Sequence, residues 1–310
     1  MKTLLKNLKS KEVLKYIRGK EDLISPGTPL CPGCPVELSL RFSMKIFGRD
    51  TYLFAAPSCG VLMMAGYGTD ASMKSASAQC LMTNVPSMMT GTRRYLRKIG
   101  KNSKVVGFVG DGSTVDVGFQ PLSGAAERGE NVLYICYDNE GYMNTGIQRS
   151  GSTPYHGWTF TSPTGGSWKG KPKAAKHMPH VMLMHEIAYV ATACISFPED
   201  YAKKLTKALE VKDGMSYIHL LTPCPTGWRF PPELSIDMGR LAVETNYFPL
   251  WEAENGRVRM TYEITEPRPV EEFTKPQGRF RHFDKAMLDE FQGMVDRRHS
   301  LTLHLSKFDG

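Results

Sequence analysis

No stretch of this chain is apolar for the roughly 20 residues that a helix needs to cross a bilayer, so a membrane-spanning role is not expected. The amino-terminal segment MKTLLKNLKSKEVLKYIRGK has no long apolar core of the kind a secretory signal carries. It is rich in lysine where a mitochondrial leader favours arginine and serine, so residues 1–29 read as a surface helix or an arm, closed by the loop Ser25-Pro26-Gly27-Thr28-Pro29. Internal repeats and low-complexity runs are missing, which excludes solenoids and arrays. Cysteines are few, 7 in 310 residues, and without an export signal they are expected as reduced thiols in the cytoplasm rather than as a disulfide framework. His177, His180 and His185 cluster, but not at the spacing of a helical HExxH pair.

What is present is an ordinary globular composition, 41% hydrophobic and 23% charged, enough for one large domain with a substantial core. The formal charge is +8, partly concentrated in Arg93 to Lys104. A nucleic-acid footprint would use such a patch, but no recognisable nucleic-acid module accompanies it. A solvated helix end, or an attraction for an acidic electron carrier or subunit, accounts for it without nucleic acid.

The rest of the chain is organised around Val105 to Thr153. An apolar β-branched run, Val105 to Val109, stops at Gly110-Asp111-Gly112; a small-residue helical segment, Gly118 to Arg128, follows; a second apolar run, Val132 to Tyr137, stops at Asp138-Asn139. Strand, turn, helix and strand in that order make a right-handed crossover with both strand ends on one sheet edge, where open α/β sheets bind ligands. Glycines flanking Asp111 are expected to let the backbone turn sharply and approach a ligand, with the next helix presenting its amino end to a diphosphate. Asp111 and Asn139 supply one anionic and one neutral oxygen, a pair suited to a magnesium ion that also binds diphosphate and water. GDG, then the 26 residues Ser113 to Asp138, then Asn139, resembles the thiamine-diphosphate signature.

Elsewhere, Cys31-x2-Cys34 sits in a Pro/Gly turn before the helical pattern Val36 to Phe47, Tyr52 to Ala56 reads as a strand leading to Cys59, and Ser216 to Leu221 as a strand leading to Cys224. Gly60 to Gly91, rich in Met, Ala, Ser and Gly, reads as closely packed helices, and the breaker-rich Tyr155 to Lys176 as a long functional loop. Tyr189 to Ser196 is a buried strand and Pro198 to Val211 an amphipathic helix. Beyond Phe230 the alternation fades, so residues 231–310 are expected to form an extended tail on partner subunits, with a last helix near Phe283 to Arg297. Cys80, Cys136 and Cys194 lie in apolar runs and need no function. Cys31, Cys34, Cys59 and Cys224 each lie in a turn bounded by Pro or Gly, and by spacing alone could hold structural zinc or a [4Fe-4S] cluster.

CYDNEGYMNTGIQRSGSTP (Cys136 to Pro154) resembles the β subunits of pyruvate:ferredoxin oxidoreductase and its 2-oxoacid:ferredoxin relatives, and the likeness continues in YVATACISFPED, SYIHLLTPCPTGWRF and KPQGRFRHF. The resemblance implies a thiamine-diphosphate-binding α/β fold, a mostly parallel sheet flanked by helices, over 30–230. It implies magnesium on Asp111, Asn139 and the Gly141 carbonyl, Asn144 as the catalytic contact to substrate, and Thr145 beside the diphosphate. The wider cofactor-binding set is Cys59, Gly110, Gly112, Ser113, Glu140 and Tyr142. Cys31, Cys34, Cys59 and Cys224 would hold a [4Fe-4S] cluster; thiamine chemistry that ends in oxidation needs an electron acceptor, which redox-silent zinc cannot be. Partner subunits would bring the pyrimidine-side glutamate and further clusters, with ferredoxin as acceptor. CPGCP and PSCGVLM depart from the family's usual C-x-G-C-G and TGC contexts, which makes oxalate, handled without coenzyme A, a candidate substrate beside pyruvate with coenzyme A. The readings from other classes are a non-redox thiamine enzyme half and a zinc-stabilised nucleic-acid-binding protein.

Overall fold

The computed structural model describes residues 10–65 and 72–308; residues 1–9 of the amino-terminal arm and 66–71 of the Met/Gly-rich stretch lie outside them. Ten strands are described in chain order: β1 Thr51–Ala55, β2 Ala76–Gln79, β3 Lys104–Gly110, β4 Leu133–Asp138, β5 Thr164–Gly165, β6 Trp168–Lys169, β7 Tyr189–Cys194, β8 Ser216–Leu221, β9 Leu250–Glu254 and β10 Arg257–Tyr262. All but β5 and β6 join one sheet in the order β10-β9-β7-β8-β4-β3-β1-β2. Within it β7, β8, β4, β3, β1 and β2 are mutually parallel, and the β9–β10 hairpin joins antiparallel beside β7.

Strands β4, β7 and β8 are buried at every position, as expected where helices cover both faces of a parallel sheet. Alternate residues feed two cores. Val106, Phe108, Leu133, Ile135, Ile218 and Leu220 face one layer, which includes helices Pro35–Phe47 and Pro198–Glu210. Val105, Val109, Tyr134, Cys136, Val190 and Tyr217 face the other, with Val85–Lys98, Phe119–Glu127 and Met178–Leu183.

The described part of the stretch expected as a tail, 231–308, packs on the chain's own sheet, and residues 309–310 lie outside the described residues. It contributes β9 and β10, joined by an Asn255-Gly256 turn with φ of 50° and 80°, the left-handed pair that a tight hairpin requires. Phe273, Phe280, Phe291 and Val295 close a third apolar cluster with Trp228 and Phe230. Its last helix, Lys285–Ser306, is longer than expected and is capped by Asp284, whose side chain accepts the Met287 N–H at 2.8 Å. In the Met/Gly-rich stretch the described residues form one short helix, Cys59–Ala65, the edge strand β2, and the start of helix Val85–Lys98. The loop 155–176 carries the β5–β6 pair and is tied down by Lys171, whose buried Nζ donates to the carbonyls of Gly151, Thr153 and Ala174 at 3.0, 2.6 and 3.3 Å.

Candidate active site at the sheet edge

Four neighbouring strands, β8, β4, β3 and β1, run parallel and end on one edge, and just past their ends stand Cys224, Asn139, Asp111 and Cys59. The register aligns Gly110 with Tyr137 and Asp138 with Leu221, so these residues arrive at nearly the same height. Parallel strand ends joined by crossovers build this concavity from residues far apart in sequence.

The Gly110-Asp111-Gly112 segment does not make the expected sharp turn. Asp111 is helical, φ −57° and ψ −42°, and β3 runs straight into a π-helical turn, Gly112–Val117, that widens before helix Phe119–Glu127. The glycines serve close approach instead: a Cβ on Gly112 would lie 2.4 Å from Tyr142 Cε1, and one on Gly110 3.2 Å from the Tyr137 hydroxyl. The Tyr142 hydroxyl donates to the Gly112 carbonyl at 3.0 Å and to Asp116 at 3.2 Å, fixing the ring against the turn. Gly110, Asp111, Gly112, Ser113, Asn139, Gly141, Tyr142, Asn144, Thr145 and Cys59 all line one small concavity. Ser113 donates its hydroxyl to the Met82 carbonyl.

Three oxygen-bearing groups converge inside it. One terminal atom of the Asn139 carboxamide lies 2.9 Å from the Gly141 carbonyl oxygen and 3.0 Å from Asp111 Oδ1. With its nitrogen turned inward the amide donates to both; with its oxygen inward, three oxygens face one point. Oxygens bound at about 2.05 Å on adjacent corners of a magnesium octahedron are about 2.9 Å apart, which matches the two spacings from Asn139 once its oxygen faces inward. Asp111 is fully buried, and burial, with Asp138 and Glu140 nearby, pushes its carboxyl well above the usual range, while a hydrogen bond from Ser150 opposes the shift. A cation at this point would remove that penalty by pairing with the carboxylate.

Glu140 is placed differently from the other expected contacts. Its backbone is left-handed, φ 63°, and its carboxylate turns away from the concavity to Arg279 Nη1 at 2.6 Å and to the Tyr247 hydroxyl. The loop is further held by Trp228, whose Nε1 donates to the Asn139 carbonyl at 2.8 Å, and by Thr153, whose hydroxyl donates to the Glu140 carbonyl at 2.7 Å. Ser150, Trp228, Tyr247 and Arg279 were not singled out from sequence, although Ser150, Trp228 and Arg279 lie in segments that carry the resemblance.

Cys31, Cys34, Cys59 and Cys224 line a second cavity of about 150 Å³, and Asn139, Met143 and Asn144 line it too. One water needs roughly 10–15 Å³, so this space takes a group of several atoms. Among the described residues no group of three or more His, Cys, Asp or Glu side chains is already placed to hold a metal ion. Burial pushes the Cys59 thiol far up, with the other three cysteines and Asp111 adding to the shift. Burial likewise pushes Cys224 up to about 12, against the Gly227 N–H donated to its sulfur at 3.2 Å. Cys34 stands at the amino end of helix Pro35–Phe47; burial pushes its thiol up, and the backbone N–H groups of Val36 and Glu37 oppose the shift. Tyr137 sets the Cys59 turn, accepting the Gly60 N–H at 2.8 Å and donating to Ser58. Cys80, Cys136 and Cys194 are buried away from this cavity.

The other sequence candidates are structural. His185 bonds Ser123 at 2.8 Å, His177 accepts from Arg298 at 2.9 Å, and His180 meets Thr302 at 3.2 Å. The basic run is partly used by the fold: Arg93 donates to the Asn131 carbonyl at 2.7 Å, and Arg94 pairs with Glu130 at 2.6 Å. No described helix is long and apolar enough to cross a membrane.

Residues 62–220 match the family described as thiamine pyrophosphate enzyme, C-terminal TPP binding domain. The chain is 43% identical over 278 residues to the pyruvate synthase subunit PorB of Methanothermobacter thermautotrophicus, covering 89% of this chain and 96% of that protein. It is 41% identical over 283 residues to the ketoisovalerate oxidoreductase subunit VorB of Pyrococcus abyssi, covering 89% and 90%. The β subunit of the NADH-dependent phenylglyoxylate dehydrogenase of Aromatoleum evansii is 40% identical, covering 94% of this chain and 66% of that one. Among solved structures, a 2-oxoglutarate:ferredoxin oxidoreductase from Magnetococcus marinus has the same fold, with a TM-score of 0.55 at 19% identity over 92% of this chain and 96% of that chain. With the crossover, the paired Asp111 and Asn139 and these relatives in view, the chain belongs to the thiamine pyrophosphate enzymes, as a β subunit of the 2-oxoacid oxidoreductases.

Proposed function

We propose that this β subunit binds the diphosphate end of thiamine diphosphate through magnesium on Asp111, Asn139 and Gly141, and passes electrons from the cofactor to a [4Fe-4S] cluster on Cys31, Cys34, Cys59 and Cys224. The observation that carries this reading is the shared wall: Asn139 and Asn144 line both the concavity around Asp111 and the cavity of the four cysteines. Two groups held so close can exchange single electrons, which neither a non-redox thiamine enzyme nor a zinc-stabilised nucleic-acid-binding protein would require.

Thiamine diphosphate, when bound, supplies the electron sink for removing the carboxyl carbon of a 2-oxoacid. The chain's own residues do the rest. Asp111 supplies the anionic oxygen for the metal, and Asn139 and Gly141 the neutral ones. Tyr142 and Gly112 close the cradle, and the exposed Asn144 and Thr145 face its mouth, where substrate and diphosphate would meet them. Met143 packs beside Gly227 and lines both cavities.

The substrate class is a 2-oxoacid, since the relatives' names share pyruvate, ketoisovalerate and phenylglyoxylate. The partners are the other subunits, which bring the pyrimidine-side glutamate and further clusters, and ferredoxin takes the electrons. The test is reduction of ferredoxin by the assembled complex without oxygen, with pyruvate, ketoisovalerate or oxalate, each with and without coenzyme A. Reduction with any of them is expected, and none from the chain alone. Thiamine-loaded complex that reduces no acceptor with any acid, or full turnover by the isolated chain, overturns the reading.

A further inference from the structure

We propose that the carboxy-terminal part of the chain positions the metal-binding loop through Glu140, with Arg279, Tyr247 and Trp228 as positioning residues for Asn139 and Gly141. The inference rests on the reading of Asp111, Asn139 and Gly141 as the magnesium site.

Glu140 stands between two of those groups and adopts a left-handed backbone, φ 63°, that a side-chain-bearing residue leaves unless it is held. It is held at every polar group. Its N–H donates to Asp138 Oδ1 at 2.8 Å, its carbonyl accepts the Thr153 hydroxyl at 2.7 Å, and its carboxylate is shared by Arg279 Nη1 at 2.6 Å and the Tyr247 hydroxyl. Arg279 is 2% exposed, lies over the Trp228 ring at 3.8 Å, and donates from Nε to Gln277 Oε1 at 2.7 Å, contacts that restrict its guanidinium. Trp228 in turn donates to the Asn139 carbonyl. Loop, indole and guanidinium thus form one stack whose far end is anchored by Phe273, Phe280 and Phe291. A buried carboxylate ion-paired on one oxygen and hydrogen-bonded on the other cannot drift without leaving Arg279 uncompensated, so the turn stays fixed and Asn139 and Gly141 stay aimed at Asp111.

The test is the Mn²⁺ affinity of the full chain, read by electron paramagnetic resonance in the presence of thiamine diphosphate. Cluster iron is measured in parallel as a readout that loss of this clamp does not move. Tyr247→Phe and Arg279→Lys keep volume and charge but remove one bond to Glu140 or the planar stack on Trp228; each is expected to weaken Mn²⁺ several-fold. Arg279→Met, where it folds, is expected to weaken it about 10- to 100-fold, the range for lost support of a metal ligand. Iron per chain and near-ultraviolet circular dichroism stay at the wild-type level in the two milder variants. Mn²⁺ affinity within twofold of wild type in both folded milder variants overturns the clamp, as does a parallel loss of iron, which would mean general unfolding. Wild-type chain that binds no Mn²⁺ overturns the metal reading instead.

Discussion

Replacing Ser150 with alanine tests the metal side of the site with little disturbance to the fold. Ser150 is fully buried, and its hydroxyl donates to Asp111 Oδ2, the oxygen that does not face Asn139. A hydrogen bond to a buried charge contributes about 1.5–3 kcal/mol. At about 1.4 kcal/mol per tenfold, its loss weakens a cation that needs Asp111 ionised by roughly 10- to 150-fold. Burial already pushes the Asp111 carboxyl well up, and Ser150 opposes that push, so the variant's carboxyl rises further. A metal competes with protons for the carboxylate, so the deficit should widen as pH falls. The assay is Mn²⁺ titration of wild type and Ser150→Ala with thiamine diphosphate present, at neutral and mildly acid pH. Affinities within twofold at both pH values would refute the role given to Asp111.

Gly112→Ala places a methyl group 2.4 Å from the Tyr142 ring and should abolish tight thiamine diphosphate binding, read by calorimetry, while cluster iron stays at the wild-type level. Tyr137→Phe leaves the buried Gly60 N–H without its acceptor and should cost about 1–3 kcal/mol in denaturant unfolding. Burial, with Arg298 adding to it, lowers His177 to about 3 and His180 to about 4, both below the usual value of 6.5. The unfolded chain therefore takes up protons that the folded chain refuses. The stability involved is complete above about pH 6.5 and is lost as pH falls toward 4, up to about 3 kcal/mol for His180 alone. His180→Gln should flatten that loss in urea unfolding between pH 7 and pH 5; equal slopes for wild type and variant would contradict it.

Much of this was legible in the sequence because the information is local. The β-branched runs at Val105 and Val132, the glycines around Asp111 and the strand-end position of Asn139 are readable from period and punctuation, and β8 begins and ends where expected. The Asn255-Gly256 hairpin also had a local signal, an NG turn between WEAE and RVRM, which mixed charges in both strands obscured. What could not be read is long-range. The contacts of Arg279 and Tyr247 with Glu140 span more than a hundred residues, and the tail-like composition after Phe230 hid that its aromatic residues fill an interior cluster. The packing of Gly112 has no local signal, because Tyr142, the ring that forbids a Cβ there, arrives from beyond the next strand.

The central claim is that one chain seats a redox cluster beside a thiamine site, and Cys224 is the place to measure it. Anaerobically reconstituted wild-type chain should be brown, with the iron and sulfide of one [4Fe-4S] cluster and no zinc. Cys224→Ala should lose that iron yet still bind thiamine diphosphate with Mn²⁺, while Cys194→Ala keeps both. Colourless wild-type chain that holds zinc, or full iron retention in Cys224→Ala, would contradict the account.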